Sequence, residues 1–353
     1  MLQVGIVGIG FMGMIHFLAY QRVPGVRVAA IYSRDARKLA GNWRSIKGNF
    51  GPPGRKMDLT GIRRYEKLDD MLADDQLDLI DVCLPARLHR AASVAALKSG
   101  KHVFCEKPIA LNVRDAKAMV YAAAEAKRQL FVGHVVPFFP EYSFALSAAR
   151  TGQYGKLLGG HFRRVIADPH WIADYYDPHI IGGPLVDLNI HDAHFIRLLF
   201  GMPQATFSRG RMRGKVVEYA ESQFVYENPS QVVSMSCGVI RQPGRSFQQS
   251  FEIHFERAAL VYDYAVVDGK PRCATPLTVL DAKGRAIHPR LPSSDPTDGF
   301  VSELKEVAQC IASGNPSAIL DGRLATDALT ICQKQSQSVA AGRLVRFHPA
   351  NVS

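Results

Sequence analysis

A short apolar run, Leu2 to Val7, passes straight into Gly8-Ile9-Gly10-Phe11-Met12-Gly13, and a helical pattern then continues to about Gln21. Strand, glycine turn and helix in that order leave few folds open. The first glycine permits the tight turn, the second lets the backbone approach a pyrophosphate, and the third lets the helix pack on its strand, with the phosphates at the helix N-terminus. A second apolar strand, Val26 to Tyr32, gives the motif its βαβ setting. Gly8, Gly10 and Gly13, together with Phe11 and Met12 on the first helical turn, are the expected dinucleotide contacts.

The end of the second strand is where such a fold meets the adenosine ribose: an acidic residue pairs with the 2′-hydroxyl of NAD, and an arginine accommodates the 2′-phosphate of NADP. Ser33-Arg34-Asp35, with Arg37 and Lys38 behind, contains both kinds. Ser33, Arg34 and Lys38 lean towards NADP, and Asp35 keeps NAD open. Ser45 to Asp58, rich in Gly and Pro, reads as an irregular surface insertion. Strands and helices then alternate through Leu79 to Cys83, Arg87 to Lys98, His102 to Cys105, Arg114 to Lys127 and Leu130 to Val132. That alternation predicts a parallel sheet covered on both faces, with ligands beyond the carboxyl ends of its strands. Leu84-Pro85 and Glu106-Lys107-Pro108 fall on that rim. The first closes over the cofactor, and the second offers a lysine where substrate meets the nicotinamide.

After Gly133 the pattern changes, which divides the chain into a dinucleotide-binding domain, 1–133, and a second domain, 134–353. Helix Tyr142 to Arg150 and strand Lys156 to Ala167 precede a run of strands: Ala205 to Met212, Glu221 to Tyr226, Gln231 to Val239, Ser250 to Phe255 and Ala259 to Tyr264. Strands in succession with helices segregated from them predict an α+β domain on one large, mostly antiparallel open sheet. Between them lies Gly182-Gly183-Pro184, opening a helix that Gly201 and Pro203 close, with Gly183 as N-cap and Pro184 at the first helical position. At helical spacing Asp187, His191, His194 and Leu198 make one stripe on an otherwise apolar helix. A carboxylate and two imidazoles in a buried stripe are either paired internally or functional. His170, Trp171, Tyr175 and Tyr176, just upstream, are candidate pocket walls. Two helical segments, Gly299 to Ser313 and Gly322 to Ala341, and a short Leu344 to Phe347 follow.

Composition narrows the class of protein. The net charge of +11 comes from Lys and Arg spread along the chain, which argues for a solvated basic surface and against a nucleic-acid partner. No apolar run is long enough to span a bilayer, and the start of the chain has no signal-like pattern, so a cytoplasmic protein with no membrane partner is expected. Six cysteines without metal-type spacing fit reduced thiols, and no metal is implied.

The assembled motifs, Gly8-x-Gly10-x-x-Gly13, Pro85-x-x-x-His89, Gly100-Lys101-His102-Val103 leading to Glu106-Lys107-Pro108, and Gly182-Gly183 followed by Asp187 and His191, resemble the glucose-fructose oxidoreductase, inositol dehydrogenase and rhizopine-catabolism (Gfo/Idh/MocA) oxidoreductases over essentially the whole chain. The resemblance implies a Rossmann domain followed by an α+β domain, an NAD or NADP cofactor, and hydride transfer between the nicotinamide and a sugar, sugar derivative or cyclitol. It implies Lys107, Asp187 and His191 as the catalytic set; Leu84, Pro85, His89, Glu106 and Lys107 are expected near the cofactor, and Trp171 and Tyr176, from the segment before the helix, with His194, from its stripe, near the substrate. It also implies a homodimer or homotetramer joined through the C-terminal sheet. The family often has arginine where Val136 stands here, which bears on substrate choice. Two rival expectations remain: a redox-neutral enzyme that cleaves glycosides with a retained dinucleotide, which the same residues would serve, and a non-catalytic dinucleotide-sensing regulator, against which the presence of Lys107, Asp187 and His191 argues.

Overall fold

The computed structural model describes residues 1–292 and 295–347, and its chain contacts divide into two units, Met1–Phe139 with Ser293–Thr326, and Pro140–Pro292 with Asp327–Ser353. The first unit therefore recruits a late segment that chain order alone assigns to the second. Helix Pro296–Ser313 packs on helix Phe11–Tyr20, and its Phe300, Val301, Leu304 and Val307 join the first core.

In chain order the first unit contains β1 (Leu2–Val7), α1 (Phe11–Tyr20), β2 (Val26–Tyr32), α2 (Ala36–Leu39), β3 (Arg63–Tyr65), α3 (Leu68–Leu72), β4 (Leu79–Val82), α4 (His89–Lys98), β5 (His102–Glu106), α5 (Val113–Ala126) and β6 (Leu130–Gly133). The strands run parallel in the order β3-β2-β1-β4-β5-β6, the doubly wound arrangement that the alternation predicts. Because β1, β4 and β5 are parallel neighbours, the turns after each of them lie along one edge of the sheet. The segment 45–58 corrects the surface reading. Ile46 and Met57 are core residues, and Phe50 stacks on Phe300 with centroids 5.4 Å apart.

The second unit contains α6 (Pro140–Thr151), β7 (Leu157–Ala167), α7 (Gly183–Asp187), α8 (Ile190–Phe200), β8 (Ala205–Arg213), β9 (Val216–Val225), β10 (Val232–Ile240), β11 (Arg245–Phe255), β12 (Ala258–Val267), β13 (Lys270–Asp281) and β14 (Ala286–Ile287). After α9 (Pro296–Ser313) come α10 (Gly322–Ala341) and β15 (Val345–Arg346). The nine strands are ordered β14-β13-β12-β11-β7-β10-β9-β8-β15. Only β7 and β10 pair in parallel among the described residues, so the sheet is mixed and mostly antiparallel. On β10, Val233, Met235, Cys237 and Val239 form the buried face, as alternation requires. The described residues contain no helix long and apolar enough to cross a membrane.

The single helix expected from Gly183 is in fact two. Its cap is Gly182, at φ 90°, one residue earlier than predicted, and the axis breaks at Leu188-Asn189. Asn189 is fully buried, and its amide donates to Gln335 Oε1 on α10 at 2.7 Å. Gln335 in turn donates to Ser222 Oγ on β9 at 2.9 Å. A buried amide has to find such partners, and meeting them here sets the junction between α7 and α8.

Candidate functional site

On the edge of the parallel sheet, Gly8 holds φ +100°, and a Cβ added there would stand 2.8 Å from the Cys83 carbonyl oxygen. At Gly13 a Cβ would stand 2.1 Å from the Gly8 carbonyl oxygen. Both glycines are thus required by packing. Gly10 differs, because a Cβ there meets nothing within 4 Å. It caps a ten-residue helix that has no side-chain cap and no acidic residue in its first turn. An uncapped N-terminus behind an open, Cβ-free approach fits a dinucleotide pyrophosphate. Gly13→Ala is therefore expected to destabilise the fold by about 1–3 kcal/mol through overpacking. Gly10→Ala should leave melting unchanged yet weaken dinucleotide binding by roughly tenfold or more, about 1.4 kcal/mol. Parallel melting and cofactor-titration measurements on the two variants would separate these effects; equal thermal losses would remove the phosphate role from Gly10.

At the end of β2, Asp35 caps α2. Its Oδ1 accepts from the Arg37 backbone N–H at 3.0 Å and from Arg37 Nε at 3.2 Å. The Arg37 contact keeps the Asp35 pKa below the usual carboxylate value, so it remains ionised but already engaged. The Ser33 hydroxyl accepts from the Asp35 N–H at 3.1 Å, and Arg34 is exposed.

Further along the edge, Leu84 is half-buried and Pro85 exposed, and Lys107 follows β5 as a half-buried side chain in a cis Lys107–Pro108 turn. Two residues expected beside the cofactor have side chains turned inward instead. His89 is 1% exposed, with Nδ1 2.8 Å from the Pro108 carbonyl oxygen and Nε2 2.7 Å from that of Leu84. Burial outweighs those two carbonyls and holds its pKa below the ordinary imidazole value. Glu106 accepts the Lys107 backbone N–H on Oε2 at 3.0 Å, while its Oε1 lies 3.0 Å from His16 Nε2. A short i+4 or x-x-x spacing signals proximity to the rim, but not which way a side chain turns.

In the second unit Asp187 closes α7 and His191 lies on the first turn of α8; both are half-buried, and His194 is completely buried. Tyr175 packs near Asp187. Burial, and then the Asp187 charge, push its hydroxyl pKa well up, so it stays protonated and able to donate. Tyr176 donates to Asp168 Oδ1 at 3.0 Å and lies under the Arg213 guanidinium, 3.9 Å from the ring centroid. Arg213 also bonds Asp168. With His170, Tyr175 and Lys215 these residues line an open depression. Trp171 stands 74% exposed beside it.

Sequence reasoning missed the support under α8. Arg164 of β7 is 3% exposed, and its Nε and one terminal nitrogen grip Asp192 at 2.6 and 3.1 Å. It also donates to Gln249 Oε1 at 3.0 Å and to the Tyr142 hydroxyl at 3.2 Å. The only signal in the sequence was an acidic residue immediately after His191 in an otherwise apolar helix.

A family model described as the oxidoreductase family with an NAD-binding Rossmann fold (GFO_IDH_MocA) matches residues 2–134, and a model of the GFO/IDH/MocA C-terminal domain matches residues 144–261. A 1,5-anhydro-D-fructose reductase of Ensifer adhaerens is 28% identical over 264 residues, 71% of this chain and 74% of that protein. A myo-inositol 2-dehydrogenase of Thermotoga maritima is 27% identical over 57% of this chain and 55% of its own length. Beyond the reductase, the matches span from 40% to 55% of the length of the relatives. A solved levoglucosan dehydrogenase, in complex with NADH and levoglucosan, superposes with a TM-score of 0.80 at 20% identity, covering 99% of this chain and 100% of that one. At that identity the likeness speaks for the fold.

Proposed function

Because this chain belongs to the Gfo/Idh/MocA oxidoreductase family, we propose that it transfers a hydride between a nicotinamide dinucleotide and a CH–OH group, or the matching carbonyl, of a sugar, sugar derivative or cyclitol. The observation that carries this reading is the lysine turn. Lys107 follows β5 on the same sheet edge as the glycine turn after β1, where a doubly wound fold takes its ligand. The names of relatives, a reductase of an anhydro-sugar and a dehydrogenase of an inositol, support the substrate class.

The bound nicotinamide supplies the hydride acceptor in oxidation and the donor in reduction. The work of the chain is at the substrate oxygen. The Lys107 ammonium donates to that oxygen and stabilises negative charge as it develops. His191 takes the hydroxyl proton in oxidation and returns it in reduction, a task suited to an imidazole. Asp187 orients the substrate or His191, and His194 supports from its buried position. Trp171 and Tyr176 contribute to substrate contacts. Gly8, Gly10, Phe11, Met12, Gly13, Leu84 and Pro85 hold the dinucleotide. A screen of polyols, sugars and cyclitols with NAD and with NADP, followed by reduced-cofactor absorbance, tests the reading. No turnover with any of them, alongside cofactor-dependent capture of a protein partner, would replace it with the regulator.

NADP is the preferred dinucleotide. Asp35 is occupied by Arg37 and by the α2 cap, whereas Arg34 is exposed next to Ser33 and Lys38. A 2′-phosphate gains charge-assisted bonds from such a group, and a 2′-hydroxyl gains little. Arg34→Ala is expected to raise KM for NADP by roughly tenfold, about 1.4 kcal/mol, and to leave KM for NAD unchanged. A parallel rise for both dinucleotides would place Arg34 outside the selectivity site. The enzyme works in the cytoplasm as a homo-oligomer joined through its nine-stranded sheet, which sedimentation of the purified protein checks.

A further inference from the structure

Under the sheet edge, α1 carries His16, three residues beyond Gly13, with its ring entirely buried. Nδ1 lies 2.9 Å from Asp81 Oδ2, on β4, in hydrogen-bond geometry, and Nε2 lies 3.0 Å from Glu106 Oε1, at the end of β5, at ion-pair distance but without hydrogen-bond geometry. A neutral imidazole offers one N–H and one lone pair. A carboxylate at ion-pair distance from each nitrogen favours the doubly protonated, cationic ring.

The other groups facing the ring agree with a single cation between two anions. Cys83 Sγ stands 3.3 Å from both His16 Nδ1 and Asp81 Oδ1, and burial pushes its thiol up, so it remains S–H. Tyr20 on α1 is likewise pushed up, first by burial and then by Asp81. Glu303 on α9 is fully buried; burial and then the Glu106 charge raise its pKa well above the carboxylate range, so it adds no third negative charge. For His16 itself burial opposes the charge, yet the Asp81 carboxylate at its Nδ1 works the other way and the ring is held well above the ordinary imidazole value. Phe104 and Phe300 close the sides, with centroids 5.4 and 6.0 Å from the ring.

The chain of contacts ends at the lysine turn, because the second oxygen of Glu106 accepts the Lys107 backbone N–H at 3.0 Å. We propose that His16 is a positioning residue for Lys107: as a buried imidazolium between Asp81 and Glu106, it fixes the carboxylate that holds the Lys107 backbone. The role rests on the reading of Lys107 as a catalytic residue. His16, Asp81 and Cys83 also have ligand atoms within 4.8 Å of one another, a spacing that can hold a metal ion. A metal would need the ring and thiol deprotonated, which is the opposite protonation state, so the two arrangements are experimentally distinct.

His16→Gln in the full chain is the first test. Hydrogen exchange at the Lys107 amide should quicken by roughly tenfold or more as its acceptor loosens, while peptides from β7 stay as in the wild type. With substrate and dinucleotide saturating, kcat should fall by about 10–100-fold, because small misplacements of a catalytic group are costly. KM and dinucleotide affinity should stay within about twofold, the kcat-only loss expected when an interaction made in the transition state is weakened. In a Lys107→Ala background the same substitution should cost nothing further. Glu106→Gln covers the case in which His16→Gln does not fold, since the amide oxygen can still accept from Lys107 but the charge is gone. Nitrogen-15 spectra should show both His16 ring nitrogens protonated at mildly alkaline pH in the wild type, and one deprotonated in Glu106→Gln. Unchanged exchange at Lys107, an equal kcat loss in the Lys107→Ala background, an unprotonated ring nitrogen in the wild type, or a stoichiometric metal lost with His16 would each overturn the proposal. If no sugar, polyol or cyclitol is turned over, the functional reading fails by itself. The exchange and nitrogen spectra still decide whether His16 holds Lys107.

Discussion

Lys107→Ala is expected to lower kcat by about 10²–10³-fold, the range seen when a donor to a developing oxyanion is removed. Dinucleotide affinity should change by less than about twofold. The two quantities separate because different parts of the sheet edge produce them. The glycine turn and the uncapped N-terminus of α1 would hold phosphates that are bound equally in ground and transition states. The ammonium instead meets an oxygen whose charge grows only as the hydride moves. Lys107→Arg should recover little, since a planar guanidinium is not a substitute for a compact ammonium. Stopped-flow turnover with saturating cofactor, together with fluorescence titration of the dinucleotide, measures both. A matched loss of affinity and turnover would mean that Lys107 binds the cofactor and leaves the substrate oxygen to other groups.

Parts of this arrangement could be read directly from the amino-acid order because they depend on local rules. A glycine turn after an apolar strand, regular alternation of β and α, and the bounds Gly322–Ala341 for the last helix all follow from periodicity and punctuation. What escaped depends on distant partners. The break at Leu188-Asn189 leaves helical spacing intact, and only Gln335, 146 residues away, explains why a buried Asn belongs there. The strand Lys270–Asp281 was not anticipated, since Pro271 and Pro276 interrupt it and much of it is exposed. The return of α9 to the first unit has no local signature at all. The same limit applies to the site: His89 and Glu106 were found by motif, but their inward orientation is set by carbonyls and an imidazole from other elements. Motif spacing locates a residue along the chain. The direction of its side chain is a tertiary property.

The largest effect on stability is expected at the ion pair beneath α8. Asp192→Asn would leave the Arg164 guanidinium buried without its counter-charge, and breaking a buried pair from one side costs about 3–5 kcal/mol. Neutralising the arginine by losing its proton is no escape: burial works against the charge, but Asp192 outweighs it and the pKa lies above even the ordinary arginine value. The transition of the second unit should fall by on the order of 10 °C. Gln249 and Tyr142 still accept from Arg164, so the unit keeps its fold at low temperature. Activity should fall with stability, because Asp192 is the residue next to His191 and ties α8 to β7. Replacing both partners with apolar residues, Arg164→Met with Asp192→Leu, should recover a large share of the loss, since a buried pair exchanged for hydrophobic volume is often neutral. The double variant would then be more stable than Asp192→Asn alone, although it carries one substitution more. Calorimetry on the three proteins decides it, and a double variant no more stable than the single one would mean that Arg164 is held chiefly by Tyr142 and Gln249.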